Sequence, residues 1–240
     1  MRSVLAAVLL PVVAVLVIGP YTFLPSVLEY AVARDVQSRL GLEKAPEVNL
    51  ESDPPLKMLS GRFAGGDIVL KDAGLGGVRT ENAVIDLDPF DVDVLESLSK
   101  GSVVASEPLS GGLRVEVPEA EVARLVGASA EVLVKGVTLT VAGMEIRSEA
   151  AVFGTSLPVS ATGDLRLAGE RFVFRPQDLE AAGMAVPQGL ADAMLEGSRF
   201  DYPIKGLPYN SRITGVDTAE GKLLLTGRVP RIPLGVYPGG

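Results

Sequence analysis

The stretch Leu157–Pro176, LPVSATGDLRLAGERFVFRP, narrows the folds open to this chain more than any other. Leu157, Val159, Ala161, Leu165 and Leu167 fall at odd positions, with Pro158, Ser160, Thr162, Asp164 and Arg166 at even ones. Successive side chains of a strand point to opposite faces, so this period of two predicts a half-buried strand. Ala168-Gly169-Glu170 can reverse the chain, because glycine takes a positive φ without a Cβ clash. The second arm then sets Phe172 and Phe174 between Arg171, Val173 and Arg175. A long antiparallel hairpin with one apolar face follows.

The same pattern recurs. Leu133–Phe153 turns at Ala142-Gly143, and Ile213–Asp217 with Lys222–Val229 makes a final hairpin in which Leu223, Leu225 and Val229 oppose Lys222, Thr226 and Arg228. LTVAGMEI from Leu139 matches LRLAGERF from Leu165 position by position at an offset of 26 residues, short enough to be repeated hairpin grammar and no proof of duplication. Earlier, Glu47–Glu51 predicts an edge strand, Gly66–Asp72 a strand with Ile68 and Leu70 on one face, and Val78–Asp88 a strand with Ala83, Ile85 and Leu87 inward. Gly112–Val117 alternates likewise, with Leu113, Val115 and Val117 together. Phe200–Leu207 reads as extended, interrupted by Pro203 and Gly206, and the tail from Pro230 as irregular.

Helices are few and short. Leu28, Val32, Val36 and Leu40 recur every four residues within Val27–Leu40, which predicts an amphipathic helix ended by Gly41. It either covers a sheet or lies on a membrane surface. Asp93 and Glu96 form a capping box for a helix over Val94–Lys100, closed by Gly101. Pro118 opens another, with Val122, Leu125 and Val126 as its stripe before Gly127. A further helix is expected over Pro187–Glu196, carrying Leu190, Ala193 and Met194. The fold class expected is α+β: a long curved antiparallel β-meander wrapped around a few short amphipathic helices.

Before these elements, no charged side chain occurs from Ser3 to Leu28, and Val4–Leu24 supplies the roughly 20 apolar residues that a bilayer core requires. With Arg2 held in the cytoplasm, the rest of the chain is exported. Residues 1–26 therefore read as an uncleaved membrane anchor; the rival is a cleaved signal peptide, whose best small-residue site, Ala31-Val32-Ala33, lies far beyond the apolar run. Residues 27–230 are expected to form one domain and 231–240 a tail.

Composition then limits the chemistry. The chain has no His and no Cys, which excludes imidazole acid–base catalysis, Ser-His-Asp triads, disulfides, zinc-thiolate sites and lipoprotein acylation. A net charge of −8 disfavours nucleic acid as a partner. The run DLDPFDVD, Asp86–Asp93, lacks the spacing of a calcium loop and reads as a solvated strand face followed by the Asp93 cap. GLGG, Gly74–Gly77, lacks the Lys-Ser/Thr of a phosphate loop and reads as a β-turn. No cofactor and no metal is expected, and no enzyme activity, the remaining enzymatic alternative being a hydrolase with carboxylates such as Asp86 and Glu96. A surplus of apolar strand face remains, and it packs either as a solid core or as a slot for a lipid.

The order of an apolar amino-terminal segment, an amphipathic helix, LSGRF at Leu59–Phe63, the hairpin Leu157–Pro176, a Gly-x-x-Val-Pro step at Gly183–Pro187 and FDYPIKGLPYNSRI at Phe200–Ile213 resembles the LmeA-type phospholipid-binding family of actinobacterial cell envelopes. The likeness covers about residues 27 to 230. It implies a tubular-lipid-binding-like fold, phospholipid held between a curved sheet and helices, and a membrane-associated, extracytoplasmic location. It also implies a supporting role in mannan elongation on lipid-anchored glycans, with glycan-synthesis proteins of the envelope as partners. The family offers no catalytic residue to carry over. The wall of the expected lipid site is drawn instead from apolar strand and helix faces: Leu59, Phe63, Ile68, Leu70, Leu95, Leu98, Val122, Leu125, Phe172, Phe174, Leu190 and Met194. The alternative to lipid binding is a membrane-tethered interaction module with a solid core that positions envelope enzymes.

Overall fold

The computed structural model describes residues 25–129, 134–152, 155–187, 201–204 and 207–232. The expected helix over Pro187–Glu196 and the apolar segment Val4–Leu24 lie outside these residues, apart from Pro187 itself. In chain order the elements are helix α1 (residues 25–40) and strands β1 (Glu47–Glu51), β2 (Arg62–Phe63), β3 (Gly65–Lys71), β4 (Gly74–Leu75), β5 (Val78–Arg79), β6 (Asn82–Leu87) and β7 (Phe90–Asp91). Helix α2 (Val94–Lys100), strand β8 (Leu109–Pro118) and helix α3 (Glu119–Ser129) follow. The remaining strands are β9 (Val134–Thr140), β10 (Gly143–Val152), β11 (Thr155–Leu167), β12 (Arg171–Ala181), β13 (Met184–Ala185), β14 (Asp201–Pro203), β15 (Arg212–Ala219) and β16 (Lys222–Ile232). The fold is α+β and mostly antiparallel, with two open sheets ordered β1-β3-β6-β8-β16-β15 and β13-β12-β11-β10-β9, β14 adding to β12.

The chain divides into two compact units. Unit 1 holds the described residues up to Leu70, Val84–Gly112 and those from Val229; unit 2 holds Lys71–Ala83 and the described part of Leu113–Arg228.

In unit 1, α1 buries the stripe that its spacing predicts, with Leu28, Val32 and Val36 nearly inaccessible. The Glu29 carboxylate accepts the Leu50 N–H at 3.2 Å, tying α1 to β1. As expected, β1 is an edge strand, and it pairs antiparallel with β3. Gly66 is required there: a Cβ would stand 2.3 Å from the Asn49 carbonyl oxygen. β2 pairs with β7, stacking Phe63 on Phe90 with ring centroids 4.9 Å apart. Asp93 caps α2 by accepting the Glu96 N–H at 2.8 Å, and Gly101 closes the helix in the left-handed conformation. Glu96 does not complete the box, since its carboxylate pairs with Lys100 at 2.6 Å.

In unit 2, β9 to β13 form the expected up-and-down meander. β10 and β11 register Met144 against Gly163 and Val152 against Thr155. β11 and β12 pair Leu165 with Phe174 and Leu167 with Phe172. A bulge between Thr162 and Gly163 then shifts the register, so the buried side of β12 passes from Phe172 and Phe174 to Leu179. The β15–β16 hairpin forms as its alternation predicts, but it does not extend the meander: β16 joins β8, and β15 packs across β9, β10 and β11. One local knot fixes this arrangement. The Glu119 N–H donates to the Gly221 carbonyl at 2.9 Å, the Gly221 N–H donates to the Leu139 carbonyl at 3.1 Å, and the Glu119 carboxylate accepts the Leu139 N–H at 2.7 Å.

Several expected boundaries shift: the strand expected over Val78–Asp88 is broken into β5 and β6 at Thr80-Glu81, and Pro118, expected to open α3, ends β8. α3 continues past Gly127 to Ser129, because Gly127 lies on the exposed side and keeps helical backbone there. β16 runs through Pro230 to Ile232. Its last residue paired with β15 is Arg228, opposite Arg212, so the missing N–H of Pro230 breaks no bond on that side.

Candidate functional site

Unit 2 encloses an apolar cavity of about 750 Å³ of empty space, part of it open to solvent. Its walls follow from strand alternation. β8 supplies Val115 and Val117, β16 supplies Leu223 and Leu225, and β15 supplies Ile213. Each is on the buried parity of its strand. The β4–β5 hairpin adds Leu75 and Val78, brought together by Gly76 and Gly77, whose φ values of 60° and 80° suit a tight two-residue turn. α3 adds Val122 and Leu125, one helical turn apart. Met144 of β10, Leu165 of β11 and Phe172 of β12 contribute from the meander. Tyr202, Ile204 and Leu207 complete the lining.

The floor is dry and the rim is partly wet. Met144, Val117, Val122 and Leu223 are at most 4 % exposed, whereas Gly76, Val78, Leu125, Leu165, Tyr202, Ile204 and Leu207 are half-buried and mark the opening. Thr80 brings a hydroxyl to the wall, but it donates to the Ala73 carbonyl at 2.9 Å. Its polar demand is thus met, and its methyl group remains as apolar lining. Such a surface offers an acyl chain burial worth about 0.8 kcal/mol per methylene and offers a polar ligand little.

Charge is concentrated beside the rim. Glu121 of α3 is buried, and its carboxylate accepts Nε of Arg124 at 2.8 Å and Nη2 at 2.6 Å, together with the Arg79 backbone N–H at 3.0 Å. The Arg124 hydrogen bonds hold the Glu121 carboxyl below its ordinary 4.5, outweighing the upward push of burial. Glu121 in turn raises the Arg124 guanidinium. Arg124 also donates Nη2 to the Gly77 carbonyl at 3.2 Å, pinning the β4–β5 turn to α3. On the opposite face of β8 from Val115 and Val117, Glu116 pairs with Lys222 at 2.9 Å, which raises the Lys222 ammonium.

Of the side chains expected to form a lipid wall, Val122, Leu125 and Phe172 do line the cavity. Phe174 is fully buried on the same side of β12 but belongs to the packed core, not the cavity surface. Phe63, Ile68 and Leu70 are core residues of unit 1, and Leu59 there is 40 % exposed. Leu95 and Leu98 are not wall residues: they are 82 % and 49 % exposed. The reason lies in Ser97, which accepts the Val104 N–H at 2.8 Å and donates to the Asp93 carbonyl, so α2 turns this polar side inward. Leu190 and Met194 lie outside the described residues.

Two of the carboxylates of Asp86–Asp93 have local work. Asp88 accepts the Ser110 hydroxyl at 2.6 Å and Asp93 caps α2. Among the described residues, no group of three or more acidic side chains is placed to hold a metal ion.

The lining residues missed by the sequence reasoning include Leu75, Met144, Tyr202, Ile204, Leu207 and Ile213. Four of these six fall within FDYPIKGLPYNSRI, a stretch with no clean period but singled out by its resemblance.

Compared with known proteins, the chain is matched by one family model, described as LmeA-like phospholipid-binding, over residues 20–228. No curated protein and no solved structure matches it.

Proposed function

Because the chain belongs to the LmeA-like phospholipid-binding family, we propose that it is a non-catalytic carrier or holder of phospholipid, with an acyl chain seated in the cavity of unit 2. The observation that carries this reading is the wholly apolar lining, from Met144 and Leu223 on the floor to Leu125 and Leu207 at the rim. A cavity of this kind gains stability when a hydrocarbon fills it and gains little from water. The twelve-odd methylenes of one acyl chain, even half-buried, supply about 5 kcal/mol, a Kd on the order of 0.2 mM, to which burial of a second chain and headgroup contacts add.

The setting proposed is the extracytoplasmic face of the cell membrane. Arg2 followed by the uncharged run to Leu28 supports an amino-terminal anchor with the remaining chain exported. In that place the protein supports assembly of lipid-linked glycan in the envelope, mannan elongation included, by presenting or sensing phospholipid for the enzymes that build it.

The test is native mass spectrometry of the full chain released from membranes with a mild detergent, followed by extraction and identification of bound lipid. The expected result is a phospholipid retained in stoichiometric amount. A protein that carries no lipid and also fails to take up labelled phospholipid from vesicles refutes the reading.

A further inference from the structure

Resting on the reading above, we propose that Arg124, assisted by Arg79, forms a headgroup site on the cavity rim that binds the phosphate of the lipid whose acyl chain lies below. The placement comes first. Arg124 stands on α3 between Val122 and Leu125, both of which line the cavity, and its Nη2 reaches the carbonyl of Gly77, flanked by the lining residues Gly76 and Val78. The guanidinium is therefore at the edge of the apolar wall. Tyr202, another rim residue, is near enough to Arg124 to interact with it electrostatically.

The second argument is donor accounting. A guanidinium carries five N–H groups in a rigid plane. In Arg124, Nε and Nη2 together point to the Glu121 carboxylate, and Nη2 also serves the Gly77 carbonyl. Planarity then sends Nη1 to the side away from Glu121, and among the described residues no acceptor takes it. Glu121 is 6 % exposed on its side chain and Arg124 is 54 % exposed, so the buried acid acts as a bracket and the outer edge of the arginine faces water.

The third is charge. Arg79 sends its backbone N–H to Glu121 and its own positive charge is felt there, so two guanidiniums surround one carboxylate. These three groups together carry a net charge of +1 (two cations less one anion) in a chain whose total is −8. A pin between α3 and the β4–β5 turn would require only the Arg124–Gly77 bond. A surplus cation with an open donor edge, set over an apolar cavity, matches an amphiphile with a phosphate at its polar end.

Phosphate chemistry is shared by a lipid headgroup and a free phosphate ion, and the test separates them. A fluorescent fatty-acid probe is bound to the full chain in detergent micelles and displaced by phosphatidylglycerol, by diacylglycerol with the same acyl chains, and by inorganic phosphate or glycerol phosphate. The natural chain is expected to prefer phosphatidylglycerol to diacylglycerol, and R124Q to lower that preference about tenfold, the value of one charge-assisted hydrogen bond. R79Q guards against misfolding of R124Q, since among the described residues the Arg79 side chain makes no hydrogen bond, and it is expected to lower the preference about threefold. A preference unchanged in both variants overturns the proposal, as does displacement by inorganic phosphate as effective as that by phosphatidylglycerol. Failure of both lipids to displace the probe refutes instead the lipid-binding reading on which it rests.

Discussion

A phenylalanine at position 122 separates a lipid cavity from an ordinary core. Val122 is 4 % exposed on α3 and forms part of the cavity floor. In a core packed to normal density, the larger ring of V122F costs about 1–3 kcal/mol of stability through forced rotamers and backbone shifts. At a cavity that is partly open to solvent, the ring can turn into the opening, and the stability of the lipid-free protein is expected to change by less than about 1 kcal/mol. Lipid affinity responds differently. The added ring takes the place of about three methylenes of an acyl chain, at about 0.8 kcal/mol each, which predicts a loss of roughly 2.4 kcal/mol or about 50-fold in Kd. Urea unfolding of the delipidated protein gives the first quantity, and titration with a fluorescent phospholipid gives the second. A variant destabilised by 1–3 kcal/mol with unchanged lipid affinity refutes the reasoning, because the space would then be ordinary core and the lipid would bind elsewhere.

Other outcomes follow from single contacts. D93A removes the acceptor for the Glu96 N–H and is expected to cost about 1 kcal/mol, while D93N keeps most of it; urea midpoints of the three proteins decide. Glu121, held below 4.5 by Arg124, contributes stability that is fully present above that pH and is lost as pH falls toward its lower folded value. Denaturation midpoints measured between roughly pH 6 and pH 3 should therefore fall less steeply in E121Q, and equal slopes would exclude this role for the pair. G163A places a Cβ 2.1 Å from the Arg175 carbonyl oxygen across the sheet and is expected to lose on the order of 2–4 kcal/mol. G127A, with nothing within 4 Å and helical backbone, is expected to gain about 0.5–1 kcal/mol, both read as shifts in Tm.

What the sequence discloses is local. The alternation in Leu157–Leu167 and the turn at Gly169 yield β11 and β12, because a period of two and a residue tolerant of φ 63° leave few other solutions. The joining of β16 to β8 is not local: it depends on bonds such as Glu119 to Gly221 between residues 102 positions apart (221 less 119), and no short window contains them. The site shows the same division. Val122, Leu125 and Phe172 are apolar by period and do reach the cavity, yet Ile68 and Leu70 carry equally clean alternation and lie in the other unit. Period tells which face is apolar, not which face it meets. Leu95 and Leu98 mislead for another reason, since in a helix of seven residues the Ser97 hydrogen bonds outweigh two leucines in setting the buried side. Arg124 was not legible at all, because its value depends on Glu121, Arg79 and Gly77 meeting in space.

Photo-crosslinking with a phospholipid bearing a diazirine near the end of one acyl chain tests most directly whether the acyl chain enters unit 2. After irradiation of the full chain and peptide mapping, the adducts are predicted on the cavity floor and wall, at Met144, Phe172, Leu223 and their neighbours. Labelling confined to the exposed leucines of α2, Leu95 and Leu98, would contradict the account and place the lipid on the surface.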